Sequence, residues 1–189
     1  EPISDPVCVP IFYVSKLAKE NNVKVCQVGE GADELFFGYT NWLRTSKINL
    51  LINNILFPKF LKKLILYFYK KFDIQYKYKS DLLKRSVEKK PIFWGGAEAF
   101  SSFEKNELFS DSFKNKIKNL DSWNCIKPHY EFFNKNAKYK SIENWMTYLD
   151  LKIRLPELIL MRVDKMTMAN SLEERVPFLD HNLVQKTID

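Results

Sequence analysis

Between Val23 and Trp42 the chain changes its pattern abruptly. A β-rich run from Val23 to Val28 leads straight into Gly29-Glu30-Gly31, and from Ala32 to Trp42 the apolar residues take helical spacing. Ahead of it, Asp5-Pro6 followed by apolar Ile11, Val14, Leu17 and Ala18 predicts an N-capped helix that Asn21-Asn22 ends. Helix, strand, glycine turn, helix is the order found in parallel α/β sheets. The chain holds only five glycines, four of them at Gly29/Gly31 and Gly95/Gly96, so their placement reads as a demand of the backbone.

A strand that ends in Gly-x-Gly and opens a helix presents backbone N–H groups and the positive end of a helix dipole, a combination suited to phosphate. Glu30, Asp33 and Glu34 would repel bare phosphate. The pattern makes chemical sense if a hard cation such as Mg2+ sits between carboxylate and phosphate oxygens. On spacing alone, a tight turn whose acids cap the next helix explains the same residues equally well.

The rest of the chain reads as mainly helical. From Ser46 to Lys90 long apolar and aromatic stretches alternate with lysine doublets, and Pro58 breaks them. Residues 47–90 carry twelve Lys and Arg against three Asp and Glu, within a chain of net charge +7, so the basic character is regional. Pro91–Gly96 reads as a loop, and Phe100–Phe133 as short helices with loops. Ser141 can cap a helix with the apolar face Ile142, Trp145, Met146, Leu149 and Ile153, and Pro156 suits the start of a second helix through Leu158, Ile159 and Met161 to Lys165. Trp145, Met146, Met161, Met166 and Met168 read as core packing.

At 189 residues and 46% hydrophobic composition the chain can bury a sizeable core. Cys8, Cys26 and Cys125 form no CxxC pair and read as reduced, buried thiols of a cytoplasmic protein; His129 and His181 are too isolated to suggest a metal centre. Glu1–Asp5 is acidic and proline-containing, unlike a signal peptide, and the longest apolar run, Leu64–Tyr69, is far too short to span a bilayer.

Residues 28–39, VGEGADELFFGY, resemble the Ser-Gly-Glu-Gly-Ala-Asp-Glu-Leu-Phe-Gly-Gly-Tyr motif in the synthetase domain of the glutamine-dependent asparagine synthetase family and its β-lactam synthetase relatives. Ten of the twelve positions agree; Val28 replaces a serine and Phe37 a glycine. Leu155–His181, LPELILMRVDKMTMANSLEERVPFLDH, is similar to the second signature of that family, a helix bearing a basic residue followed by Ser-x-Glu-x-Arg-x-Pro-Phe-Leu-Asp. The two motifs stand in the family's order.

The resemblance implies an α/β fold with a parallel sheet, of the adenine-nucleotide alpha-hydrolase-like kind, to which this chain would contribute a mostly α-helical part with one or two short strands. It implies amide formation from ATP·Mg2+ through an acyl-adenylate, with aspartate as the default carboxylate and ammonia derived from glutamine. By motif position it makes Lys165 and Glu30 catalytic, puts Val28, Gly29 and Gly31 at the nucleotide, and makes Asp33 a magnesium ligand. Arg162, Asp164 and the pair Glu173/Arg175 read as structural ion pairs or helix-end interactions. Val176–Leu179 reads as a buried turn and Asp180 as a cap.

The motifs divide the chain into a nucleotide-site part at 1–44, a divergent basic aromatic part at 45–140 and a part bearing the lysine motif at 141–189. The family's Ser-Gly-Gly-x-Asp-Ser pyrophosphate loop and its glutaminase domain do not occur in these 189 residues. The expectation is therefore a piece of a longer synthetase, inactive alone, whose full-length form could be a homodimer. Another carboxylate, in a β-lactam or surface-polysaccharide setting, is the alternative within the family. A non-catalytic domain whose basic helices bind nucleic acid or an anionic membrane is the rival from another class; on the synthetase reading neither partner is expected.

Overall fold

A computed structural model describes residues 5–53, 58–71 and 77–188. The elements in order are α1 (Cys8–Glu20), β1 (Val25–Gln27), α2 (Ala32–Phe36), α3 (Thr40–Asn53), α4 (Lys59–Lys71), α5 (Lys77–Val87), α6 (Ser102–Leu108), α7 (Asp111–Ile117), α8 (Trp123–Asn136) and α9 (Ile142–Lys152). A π-helical segment (Leu155–Leu160), α10 (Met161–Met168), β2 (Glu173–Arg175), a 3-10 turn (Pro177–Leu179) and α11 (His181–Ile188) follow. The chain divides into two compact units, Glu1–Tyr39 with Leu149–Asp189, and Thr40–Tyr148. A mostly helical α/β architecture with a short parallel sheet is what the motifs led one to expect.

The first unit is built around the strand pair. β1 and β2 run parallel with Val25 opposite Glu173, Cys26 opposite Glu174 and Gln27 opposite Arg175. The ladder is extended by Glu173 N–H donating to Lys24 O and Val28 N–H to Arg175 O. Two three-residue strands are too little to stand alone in water, and α1 and α10 pack together in the same unit. Its apolar core comprises Leu35, Leu149, Leu155, Ile159, Val163 and Leu172.

Several local expectations change. α1 does not bury the face of Val14 and Leu17, which are 66% and 60% exposed; its buried residue is Ser15. Ser15 is small and its hydroxyl donates to Ile11 O, so its burial leaves no polar group unpaired. The helix expected over Ala32–Trp42 breaks in two, because Phe37 takes a left-handed φ of 58° and Gly38 N–H returns to Asp33 O. A Cβ at Gly38 would lie 2.9 Å from Asp33 Cγ and nearer still to Oδ1, so the close approach needs glycine. Residues 173–175 form a strand rather than helix. Val176–Leu179 is not buried: Phe178 and Pro177 are exposed and the other two half-buried. Met168 is exposed too. The thiols are free but not deeply buried, with Cys8 and Cys26 intermediate and Cys125 exposed.

Other readings hold. Asn21 and Asn22 close α1, Asn22 with φ 61°, and Val23 N–H donating to Ala18 O. Asp180 Oδ1 accepts from the N–H groups of Asn182 and Leu183 and caps α11. Ser141 Oγ accepts from Asn144 N–H at the start of α9.

The second unit is helical with an aromatic core. Trp145 and Met146 of α9 are almost wholly enclosed, and Trp145 Nε1 donates to Phe93 O at 2.9 Å. Tyr130 and Phe133 of α8 meet the Trp145 ring edge-on at centroid distances of 5.0 and 5.5 Å. Buried Arg85 is neutralised by Asp81 and Glu98 and lies 3.9 Å from the Trp94 ring centroid. On α4, Phe60, Leu64 and Tyr67 remain exposed between lysines. No helix among the described residues is long and apolar enough to cross a membrane.

Candidate functional site

The two motifs meet in the first unit, although more than a hundred residues separate them in the chain. Four kinds of contact join them, one being the ion pair of Glu30 with Arg162. Strand pairing brings Gln27 and Val28 against Arg175. Gly31, buried with φ 91°, is backed by Leu179, since a Cβ there would lie 2.7 Å from Leu179 Cγ and closer to Cδ2. The rings of Phe36 and Phe178 meet edge-on at 6.2 Å.

The expected site residues are distributed as follows. Val28 is half-buried, and its N–H is committed to Arg175 O, so any nucleotide contact from its amide would compete with the sheet. Gly29 is exposed, with open space where a Cβ would sit. Glu30 is half-buried and forms an ion pair with Arg162, Oε1 to Nη2 3.6 Å. Asp33 is exposed in the first turn of α2. That helix has five residues, so its dipole is that of little more than one turn. Lys165 is half-buried in the last turn of α10, and among the described residues its ammonium has no hydrogen-bond or ion-pair partner.

Among the described residues no three His, Cys, Asp or Glu side chains gather into a metal-binding group. Magnesium in nucleotide sites takes one or two carboxylates and completes its shell with phosphate oxygens and water. The exposed Asp33 carboxylate beside the glycine turn fits that limited role.

Arg162, one turn before Lys165 on α10, also binds Asp5, Nη1 to Oδ2 2.5 Å. The Val7 N–H on Asp5 Oδ1, and then this guanidinium, hold the Asp5 carboxyl below its ordinary range. Burial works against the Arg162 charge, yet Asp5 and Glu30 together keep its proton affinity raised. Glu174 is the opposite case. Both its carboxylate oxygens are shut off from solvent with no hydrogen-bond partner in good geometry; Thr167 is near, but its hydroxyl donates to Val163 O at 3.0 Å. Burial first, then the charge of Glu30, pushes the Glu174 carboxyl above its ordinary value.

Behind the glycine turn, motif residues Glu34 and Tyr39 have structural work. Glu34 is 1% exposed and accepts from Tyr39 Oη at 2.7 Å. The Arg154 guanidinium lies 4.0 Å from Glu34 Oε1, 3.4 Å from Asp150 Oδ2 and 4.5 Å from the Tyr39 ring centroid. Burial and then the Glu34 hydrogen bond drive the Tyr39 phenol well above its ordinary range. Arg154 and Glu174 were not singled out by the sequence. The Asp150–Arg154 spacing of four on a helix could have pointed to the first; nothing local announces the second. Glu173 and Arg175 form the expected ion pair at 2.8 Å on the exposed face of β2.

Comparison with known proteins agrees with this assembly. The chain is 34% identical over 180 residues to asparagine synthetase [glutamine-hydrolyzing] 1 of Bacillus subtilis (strain 168), covering 95% of this chain and 27% of that protein. It is equally identical over 180 residues to a putative asparagine synthetase [glutamine-hydrolyzing] of Mycobacterium tuberculosis (strain ATCC 25618 / H37Rv), covering 26% of it. The chain thus spans about a quarter of the length of the curated relatives it matches. No solved structure matches it significantly. With residues 1–187 matched by the asparagine synthase family model and both motifs in contact, the chain belongs to the asparagine synthase family.

Proposed function

We propose that this chain forms part of a site that makes an amide at the expense of ATP, with aspartate as the carboxylate and ammonia drawn from glutamine. The observation that carries the reading is the joining of the glycine turn to the Lys165-bearing segment through Gly31–Leu179 and Glu30–Arg162. One unit thus supplies both an open turn and a half-buried, unpartnered lysine. Lys165 would stabilise negative charge on the departing pyrophosphate and on the tetrahedral adduct formed when ammonia attacks the acyl-adenylate carbonyl. The open space over Gly29 lets a phosphate approach the backbone closely. Glu30 would orient the reacting groups during adenylation, and Asp33 would hold Mg2+, whose part is to offset phosphate charge. Ten matched motif positions and the relatives' names support this reading, and the same chemistry allows a different carboxylate.

The test is pyrophosphate release from ATP by the full-length protein carrying these residues. Release that requires aspartate and either glutamine or ammonia, with asparagine as product, supports the proposal; release dependent on another carboxylate redirects it, and none with any carboxylate refutes it. The exposed Phe60, Leu64 and Tyr67 between the lysines of α4 favour a second, separate reading of the basic region as an anionic-surface contact. Vesicle binding that does not weaken with salt would rule that out.

A further inference from the structure

The Glu30 carboxylate stands in acidic company. Glu174 is on β2, and after burial the charge of Glu30, and to a lesser extent that of Asp164 on α10, opposes its ionisation. That repulsion is mutual, so it acts on Glu30 as well. Both Glu174 oxygens are enclosed, with no hydrogen bond in good geometry among the described residues; only the nearby Thr167 hydroxyl favours its charge. Asp5, the other acid nearby, is on the segment leading into α1. One guanidinium pairs directly with two of these acids, Glu30 and Asp5. Arg162 presents Nη2 to Glu30 at 3.6 Å and Nη1 to Asp5 at 2.5 Å, and its side chain is 15% exposed. A fork of two nitrogens can hold two carboxylates at once; the one ammonium nitrogen of lysine is far less suited to this. Arg162 also lies three residues before Lys165, which in a helix puts both on one face.

We infer that Arg162 is the positioning residue for Glu30: it holds that carboxylate in place beside Glu174 and ties it, through Asp5, to the start of α1. The inference deepens the synthetase reading and rests on it for the role of Glu30, while the positioning itself can be measured without turnover. Arg162 touches no substrate in this scheme. Its effect passes through Glu30, and that sets its signature apart from a residue that only stabilises the fold.

Two measurements decide it. In the full-length protein, Arg162→Met should lower kcat for aspartate-dependent pyrophosphate release by roughly thirtyfold or more, with KM for ATP changed less than about threefold, and Arg162→Lys should restore only part of the loss. In a Glu30→Gln background the same Arg162→Met change should cost less than about twofold, because its target is already gone. An equal loss in both backgrounds overturns the inference. Independently of activity, carbodiimide labelling of carboxylates in the full-length protein, read by mass spectrometry, should rise about fivefold or more at Glu30 in Arg162→Met. Labelling at Glu20, on the exposed end of α1, should not change. Unchanged Glu30 labelling overturns the inference even if activity falls. If Arg162→Met does not fold, Arg162→Lys carries the labelling test, with a rise at Glu30 expected and no rise refuting. A wild-type protein without synthetase activity sinks the reading of the site, and labelling alone then decides the positioning claim.

Discussion

Replacing Gly31 by alanine attacks the contact that joins the two motifs. At φ 91° a residue with a Cβ is strained by about 1–3 kcal/mol. The new methyl would lie 2.7 Å from Leu179 Cγ and nearer to Cδ2, and overpacking of this kind costs typically about 1–3 kcal/mol. The two costs together come to about 2–6 kcal/mol, and because Leu179 is only half-buried and can swing aside in part, the total should fall in the lower half, at roughly 3 kcal/mol. For a chain of this size that corresponds to a drop in Tm of roughly 6–12 °C. Because the chain has two units, hydrogen exchange of the Val28 and Glu173 amides, both bonded across the strand pair, is a better probe than a global melt. Leu179→Ala in the Gly31→Ala background removes the clash and keeps the backbone strain, so it should recover about half of the lost protection. If Gly31→Ala lies within about 0.5 kcal/mol of wild type, or Leu179→Ala recovers nothing, the turn is not backed by Leu179 and the argument for the joined site fails.

Other substitutions probe the site and the core. Lys165→Ala or Glu30→Ala in the full-length protein should reduce amide formation on the order of a hundredfold or more with little change in Tm; wild-type turnover in either removes it from the catalytic set. Glu174→Gln should stabilise the chain at pH 8 by roughly 1 kcal/mol. A carboxyl whose folded pKa is raised contributes stability below its unfolded value, near 4.5, and loses it as pH rises through the folded value. The gain from glutamine should therefore vanish by pH 4, and thermal melts across that interval that stay parallel would contradict the burial of Glu174. Met146→Ala, at a fully enclosed position, should cost roughly 2–5 kcal/mol by urea denaturation.

What was legible in the sequence was local. The ends of α1 at Asn21-Asn22, the Ser141 cap and the packed face of Trp145, Met146 and Leu149 follow from periodicity and short-range hydrogen bonding, and all appear in the structure. What failed depended on partners remote in the chain or on unusual backbone angles. The face of α1 was misread because Ser15, not Leu17, is the buried residue. The break at Phe37 depends on a left-handed residue other than glycine, which propensity disfavours. β2 is three residues with two glutamates and an arginine, a composition that resembles no strand until β1 supplies its hydrogen bonds.

The site shows the same division with a further consequence. Motif position could nominate Glu30 and Lys165 separately, but the guanidinium of Arg162, 132 residues from Glu30, is what ties the glycine turn to the helix carrying the lysine. An isolated ion pair at the surface contributes little to stability, and this one is partly enclosed, with the shielded carboxylate oxygens of Glu174 close enough to feel the charge of Glu30. Removing the guanidinium would leave Glu30 beside Glu174 without its ion-pair partner. The residues that looked like incidental helix charges in the sequence therefore control whether the carboxylate chosen by the motif can stay where the motif needs it. Resemblance selects the groups that could react; the acidic surroundings of Glu30 and the Arg162 guanidinium paired with it determine how that carboxylate is held in position.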